Sequence, residues 1–199
     1  MDLWEKCVDF HGHHCGGLRI GYNAALYAMK LLNVDFSDNE QVVCISENDA
    51  CGVDAIQVML GCSIGKGNLL FHMTGKQAFS FYNRATGQSV RLVLKPKPLN
   101  MTPEESKGYY FDRTPQQLFD AMETRIQLPT PAKIFDSYTC ECCGEKTAPT
   151  GSASPGAKSC VWIATKAIID SMYKDTPLFS KQGSFSGCVY FAQSALPSE

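Results

Sequence analysis

The chain has 199 residues, 44% of them hydrophobic, and a formal net charge of -2. That apolar content supports a packed core in one domain of ordinary size, with room for a small appendage. The near-neutral charge, with no basic cluster and no RNA-binding aromatic signature, excludes nucleic acid as the expected partner.

In chain order, Met1-Asp2-Leu3-Trp4-Glu5-Lys6 lacks the charged and long apolar regions of a signal peptide. No window reaches the ~18 to 20 apolar residues that span a bilayer, so no membrane partner is expected. Residues 2–10 read as a short amphipathic helix on Leu3, Trp4, Cys7, Val8 and Phe10. A turn follows: His11-Gly12-His13-His14-Cys15-Gly16-Gly17. Residues 15–32 carry an apolar stripe of Leu18, Tyr22, Ala25, Leu26, Met29 and Leu32, which predicts a longer helix with the cluster at its N-terminus. A helix N-terminus favours a thiolate. Residues 33–39 are polar and turn-like.

Residues 41–46 (Gln41-Val42-Val43-Cys44-Ile45-Ser46) predict a buried strand. Glu47-Asn48-Asp49-Ala50-Cys51-Gly52 ends it, and Asn48 or Asp49 is the expected cap of a helix through Val53, Ile56, Met59 and Leu60 to Gly61. Cys62 to Asn68 is a loop. Residues 69–82 and 89–94 predict two strands joined through residues 83–88. Thr102-Pro103 and Thr114-Pro115 each signal a helix start, and the second helix is expected to run to about Ile126. Pro129 and Pro131 mark a linker. Beyond it lie Tyr138-Thr139-Cys140-Glu141-Cys142-Cys143-Gly144, a loop rich in Pro, Gly and Ser, a helix over 159–173, and a terminal strand near Cys188.

The setting expected for such a chain is the cytoplasm, where thiols stay reduced. Its ten cysteines then point to metal binding or redox chemistry rather than to a disulfide framework. Cys7, Cys44 and Cys188 sit among apolar residues and read as small buried hydrophobes.

Three constellations carry chemistry. His11, His13 and Cys15 alternate on what reads as an extended segment, so they point one way and converge on one ion, leaving His14 to point elsewhere. Cys51, with Asp49 beside it, joins from the second strand-to-helix junction. Two imidazoles and a thiolate form the three-ligand pattern of a catalytic zinc; zinc or another first-row transition metal is the expected cofactor. The competing reading makes the histidines structural residues of a turn. An enzyme built this way would use Cys15 or Cys51 as the reactive sulfur, with Lys66, His13 and Asp49 around it. The flanking Gly16 and Gly17 would let the backbone approach whatever is held.

Gly65-Lys66-Gly67 lacks the spacing of a phosphate-binding loop. Lys66 is expected either to lower a thiol pKa at Cys62 or Cys51, or to sit solvated in a glycine loop. Cys140 and Cys143, followed by Gly144, look like half of a zinc knuckle with Cys160 as third ligand. The partner position holds Ile163, so Cys142, Cys188 or a second chain must supply the fourth. The vicinal pair Cys142 and Cys143 is alternatively a redox switch.

These residues resemble those of the FmdE family, named for a component of formylmethanofuran dehydrogenase. His11-Gly12-His13-His14-Cys15-Gly16-Gly17 is similar to its HGHxCxG opening, residues 47–57 to its ENDAC segment, Gly61 to Asn68 to its GCxxGKGN loop, and Gly75-Lys76-Gln77-Ala78-Phe79 to the strand that follows. The resemblance spans about residues 5–125. It implies an α+β fold, with helices packed on a small antiparallel-rich sheet over residues 1–128. Residues 129–199 would form a Cys-rich, zinc-finger-like module and terminal helix. It further implies a homodimer, a metal site of His11, His13, Cys15 and Cys51, and a link to a molybdenum or tungsten oxidoreductase. The chain departs from the family pattern at Gly16, where Pro is frequent, and in the missing fourth cysteine. The function expected is a metal-binding protein with redox or formyl-transfer chemistry, or a non-catalytic accessory, metal carrier or sensor.

Overall fold

The computed structural model describes residues 1–131, 137–139 and 145–147. The chain divides into two units, Met1–Ala132 and Lys133–Glu199. In the second, the strands Tyr138–Thr139 and Lys146–Thr147 pair antiparallel. Cys140, Cys142, Cys143, Cys160 and Cys188, with the expected zinc module, helix and terminal strand, lie outside the described residues.

The first unit is α+β. Its helices are α1 (Leu3–His11), α2 (Gly16–Leu32), α3 (Gly52–Leu60), α4 (Pro103–Gly108) and α5 (Pro115–Leu118). Its strands are β1 (Val42–Ser46), β2 (Leu69–Phe71), β3 (Ala78–Asn83), β4 (Ser89–Leu94) and β5 (Phe119–Met122). The five strands make one sheet in the order β2-β1-β3-β4-β5. Only the β1–β2 pair is parallel; β1–β3, β3–β4 and β4–β5 are antiparallel. The β1–β2 connection needs a crossover, and α3 supplies it.

Alternation along the strands sorts the two faces. Cys44, Phe79, Phe81, Leu92 and Phe119 pack against Leu18, Ala25, Ala28, Ile56, Met59 and Leu60 from α2 and α3 in the main core. On the opposite face Val43, Ile45 and Tyr82 gather Leu70, Ile126 and Leu128. Cys7 and Cys44 are fully buried, and burial raises both thiols, Cys7 to about 11. They are core residues, as their apolar surroundings suggest.

Two expectations need correction. Residues 69–82 are not one strand: β2 ends at Phe71 and β3 begins at Ala78. The chain turns between them, where the amides of Thr74 and Gly75 both donate to the Glu47 carbonyl at 3.0 Å. Nor does a helix run from Thr114 to Ile126. Its capping box and Pro115 start α5 as read, but the chain turns extended at Phe119, because β5 completes the edge of β4 and buries Phe119 beneath it. Tertiary pairing overrides local helix propensity there.

The glycine loop from Cys62 to Asn68 is a brace rather than an anion cradle. Asn68 is fully buried. Its amide donates to the carbonyls of Asn39 (3.0 Å), Val42 (2.9 Å) and Gly61 (3.3 Å) and accepts from the Ser63 amide (2.9 Å). One side chain thereby joins three connections that meet below β1.

Candidate metal centre

The site stands where α1 ends and α2 and α3 begin. Asp2 starts α1 with a capping box to Glu5, and Gly12, at φ 90°, stops it in the left-handed region. His11 is therefore the last residue of a helix, not part of an extended segment, and convergence of the ligands has a different cause from the alternation read in the sequence. The chain reverses at Gly12, as few residues besides glycine can, and returns His13 beside His11. Their ring centroids are 4.5 Å apart. Cys15 then caps α2: its Sγ accepts from the Leu18 amide at 3.2 Å and lies 3.7 Å from His11 Nε2. One ligand atom from each of His11, His13 and Cys15 falls within 4.8 Å of the others. His14 points away, its ring edge against Trp4 at 5.7 Å.

Asp54, in the first turn of α3, completes the arrangement. Its Oδ2 lies 2.7 Å from His11 Nδ1, and its Oδ1 accepts from Gln57 Nε2 at 3.2 Å. A carboxylate on Nδ1 fixes the proton there and turns the Nε2 lone pair toward Cys15 and His13. This is the outer support that metal-binding histidines ordinarily have. Asp54 was missed from sequence, although it lies three residues past Cys51.

Cys51 flanks the group. It precedes α3 without a side-chain cap bond, and its thiol hydrogen-bonds that of Cys15. Burial first, then the Cys15 sulfur, pushes the Cys51 thiol above its ordinary value. Three glycines allow this approach. A Cβ on Gly17 would stand 3.1 Å from Cys51 Cβ and 3.8 Å from Cys15 Sγ; one on Gly21 would land on the Gly52 carbonyl; one on Gly52 would meet the Gly21 nitrogen at 3.0 Å. The glycines thus serve the crossing of α2 over the start of α3, while Gly16 packs on the ring of Tyr110.

The other expected site residues fall elsewhere. Asp49 is exposed in the β1–α3 loop. It does not cap α3, and neither does Asn48, which accepts from the Ala50 amide at 3.1 Å and donates to the Lys76 carbonyl at 2.9 Å. Lys66 is at the far end of α3 from Cys51: its Nζ donates to the Ser37 carbonyl at 2.8 Å and lies over the Phe36 ring. It lowers the Cys62 thiol only against a larger effect of burial, which leaves Cys62 at about 12. Cys62 is fully buried, its Sγ 3.6 Å from the Val42 carbonyl. Two open cavities, of about 440 and 550 Å³, border Ser89 and Thr124 and, separately, Met101 and Arg113. No residue of the cluster lines either.

The donor set suits a borderline-soft ion: two imidazoles, one thiolate and a second thiol alongside. The family described as FmdE, molybdenum formylmethanofuran dehydrogenase operon, matches residues 10–128. The chain belongs to the FmdE family. The match begins one residue before His11 and includes the whole cluster and all five strands of the first unit. The chain is 25% identical over 175 residues to a probable S-adenosyl-L-methionine-binding protein of Archaeoglobus fulgidus, with 72% of this chain covered and 48% of that protein. It thus spans about half the length of that relative. Its fold is similar to the crystal structure of an FmdE-like protein of tungsten formylmethanofuran dehydrogenase from Syntrophus aciditrophicus. The TM-score is 0.52 at 22% identity, over 72% of this chain and 83% of that one. Among the described residues no helix is long and apolar enough to cross a membrane.

Proposed function

We propose that this FmdE-family protein holds a first-row transition ion, zinc before the others, on His11 Nε2, His13 and Cys15, with Cys51 as the reactive thiol at its side. The observation that carries the reading is the His11–Asp54 hydrogen bond of 2.7 Å, which leaves Nε2 free for an ion where the Cys15 sulfur lies 3.7 Å away. Such an ion, when bound, supplies Lewis acidity and holds a coordinated sulfur as thiolate. The chain's own residues do the rest. Asp54 keeps the His11 proton on Nδ1. The Leu18 amide donates to the Cys15 sulfur at the α2 N-terminus, where the helix dipole also favours negative charge. Cys51 keeps its proton until a substrate or base takes it.

The family's association with a formylmethanofuran dehydrogenase operon supports redox or formyl-transfer chemistry beside a molybdenum or tungsten oxidoreductase, with a homodimer in the cytoplasm as the working form. A second reading rests on the Cys15–Cys51 contact. If Cys51 ligates as well, the set is a closed His2Cys2 site, and the protein is an accessory, carrier or sensor without an open position.

Cobalt substitution separates the two. In the catalytic reading Cys51→Ser leaves the sulfur-to-cobalt charge-transfer band at its one-thiolate intensity and abolishes turnover of formyl or thiol substrates. In the closed-site reading the same variant halves that band. A wild-type protein that takes up no stoichiometric zinc or cobalt would sink both.

A further inference from the structure

Beside the cluster, one turn into α2, lies Arg19. Its amide donates to the Cys15 carbonyl at 3.1 Å. Its guanidinium carbon lies 4.9 Å from the Trp4 ring centroid, 4.7 Å from that of Tyr22 and 5.4 Å from that of Phe111. Trp4 stands edge-on to both other rings, at 5.3 and 5.7 Å, and also touches His14. Aromatic faces satisfy the charge of a guanidinium over its plane. Its five N–H donors lie in that plane and need acceptors. None of them has an acceptor among the described residues, and Nε is shut from solvent with no partner. The nearby carboxylate of Asp2 is occupied by the Glu5 amide, at 2.7 Å. Arg19 itself is only half-buried, so its terminal edge is open. A planar fork held rigid by three rings, with no acid of its own, is prepared for an external acceptor of matching shape.

We infer that Arg19 is a carboxylate-recognition residue, and that the Trp4–Tyr22–Phe111 box holds its fork toward the acid group of the molecule on which the His/Cys cluster acts; the second half of that statement rests on the function proposed above. A purely structural pin between α1, α2 and the turn at Phe111 would need the charge but not the fork.

The test uses the full chain carrying Trp162→Phe, so that Trp4, one of only two tryptophans, becomes the sole fluorophore. Sodium acetate is titrated at constant ionic strength against chloride, with sodium phosphate in a parallel arm. The expected result is a saturable change in Trp4 emission with acetate. Its midpoint weakens about tenfold or more in Arg19→Gln, the loss of one charge-assisted pair, and also weakens in Arg19→Lys, which keeps charge and ring contact without the fork. Absence of an acetate response, an undiminished response in Arg19→Lys, or a response to phosphate alone would overturn the inference. Should Arg19→Gln fail to fold, Arg19→Lys carries the test. Metal content is measured on the same samples. Acetate binding in a protein that holds no metal defeats the proposed function and leaves Arg19 standing; bound metal without an acetate response does the reverse.

Discussion

The imidazole of His11 and the carboxylate of Asp54 meet at 2.7 Å although 43 residues separate them. One ends a helix and the other begins one. Replacing Asp54 with Asn removes the fixed acceptor for Nδ1–H and lets the ring turn. Zinc affinity, read by competition with a chromophoric chelator, is expected to fall about 10- to 100-fold, and Asp54→Glu to recover part of it. Thermal stability should change little, since the Asp54 side chain keeps 34% of its surface exposed. Unchanged affinity in Asp54→Asn would remove the outer carboxylate from the site.

The contact of α2 with α3 is as tight as two backbones permit. Gly21→Ala places a methyl on the Gly52 carbonyl, and the helices must part. The expected cost is about 1–3 kcal/mol in urea unfolding, with metal affinity falling as Cys15 and Cys51 separate. Gly65→Ala, where an added Cβ meets nothing within 4 Å, is the neutral control. Equal midpoints for the two variants would mean that the crossing is looser than described.

A buried ion pair joins the end of β1 to β4. Arg91 Nε donates to Glu47 Oε1 at 2.6 Å, and Thr74 Oγ1 donates to Oε2 at 2.9 Å. Arg91→Met leaves an uncompensated carboxylate and is expected to cost about 3–5 kcal/mol; the double variant Glu47→Gln/Arg91→Met should cost much less. The Arg91 hydrogen bond holds the Glu47 carboxyl below its ordinary value. Its stabilisation is therefore complete above the unfolded carboxylate pKa of about 4.3, and it fades as pH falls through the lowered folded value. Urea midpoints measured from pH 7 to pH 3 should show a shallower acid slope in Glu47→Gln than in wild type.

Thiol reactivity should split the first unit's cysteines. Cys15 and Cys51 are half-buried, whereas Cys7, Cys44 and Cys62 are fully buried and held protonated at neutral pH by burial. Brief alkylation with iodoacetamide, mapped by peptide mass spectrometry, should label Cys15 and Cys51 and spare the other three. Zinc added beforehand should protect Cys15. Labelling of Cys44 at the rate of Cys51 would contradict the described core.

Local chemistry alone was enough to mark α1, α2, β1 and α3. Their caps, apolar spacing and β-branched run act over a few residues, and short-range signals survive in sequence. The crowding of His11, His13 and Cys15 was visible for the same reason, as was the pull of Cys51 toward it through the family resemblance. What depended on tertiary structure was how these residues meet. Alternation along an extended segment was the wrong cause, because Gly12 turns the chain at a helix end. Gly17, Gly21 and Gly52 bear on one another only across α2 and α3, so their purpose could not be read from either stretch by itself. Lys66 looked available to Cys51 along the chain, but the length of α3 and the Ser37 carbonyl hold it away. Asp54 and Arg19 carried no motif at all. A carboxylate becomes a histidine's support, and a guanidinium an open fork, only when partners from other elements are present or missing around them.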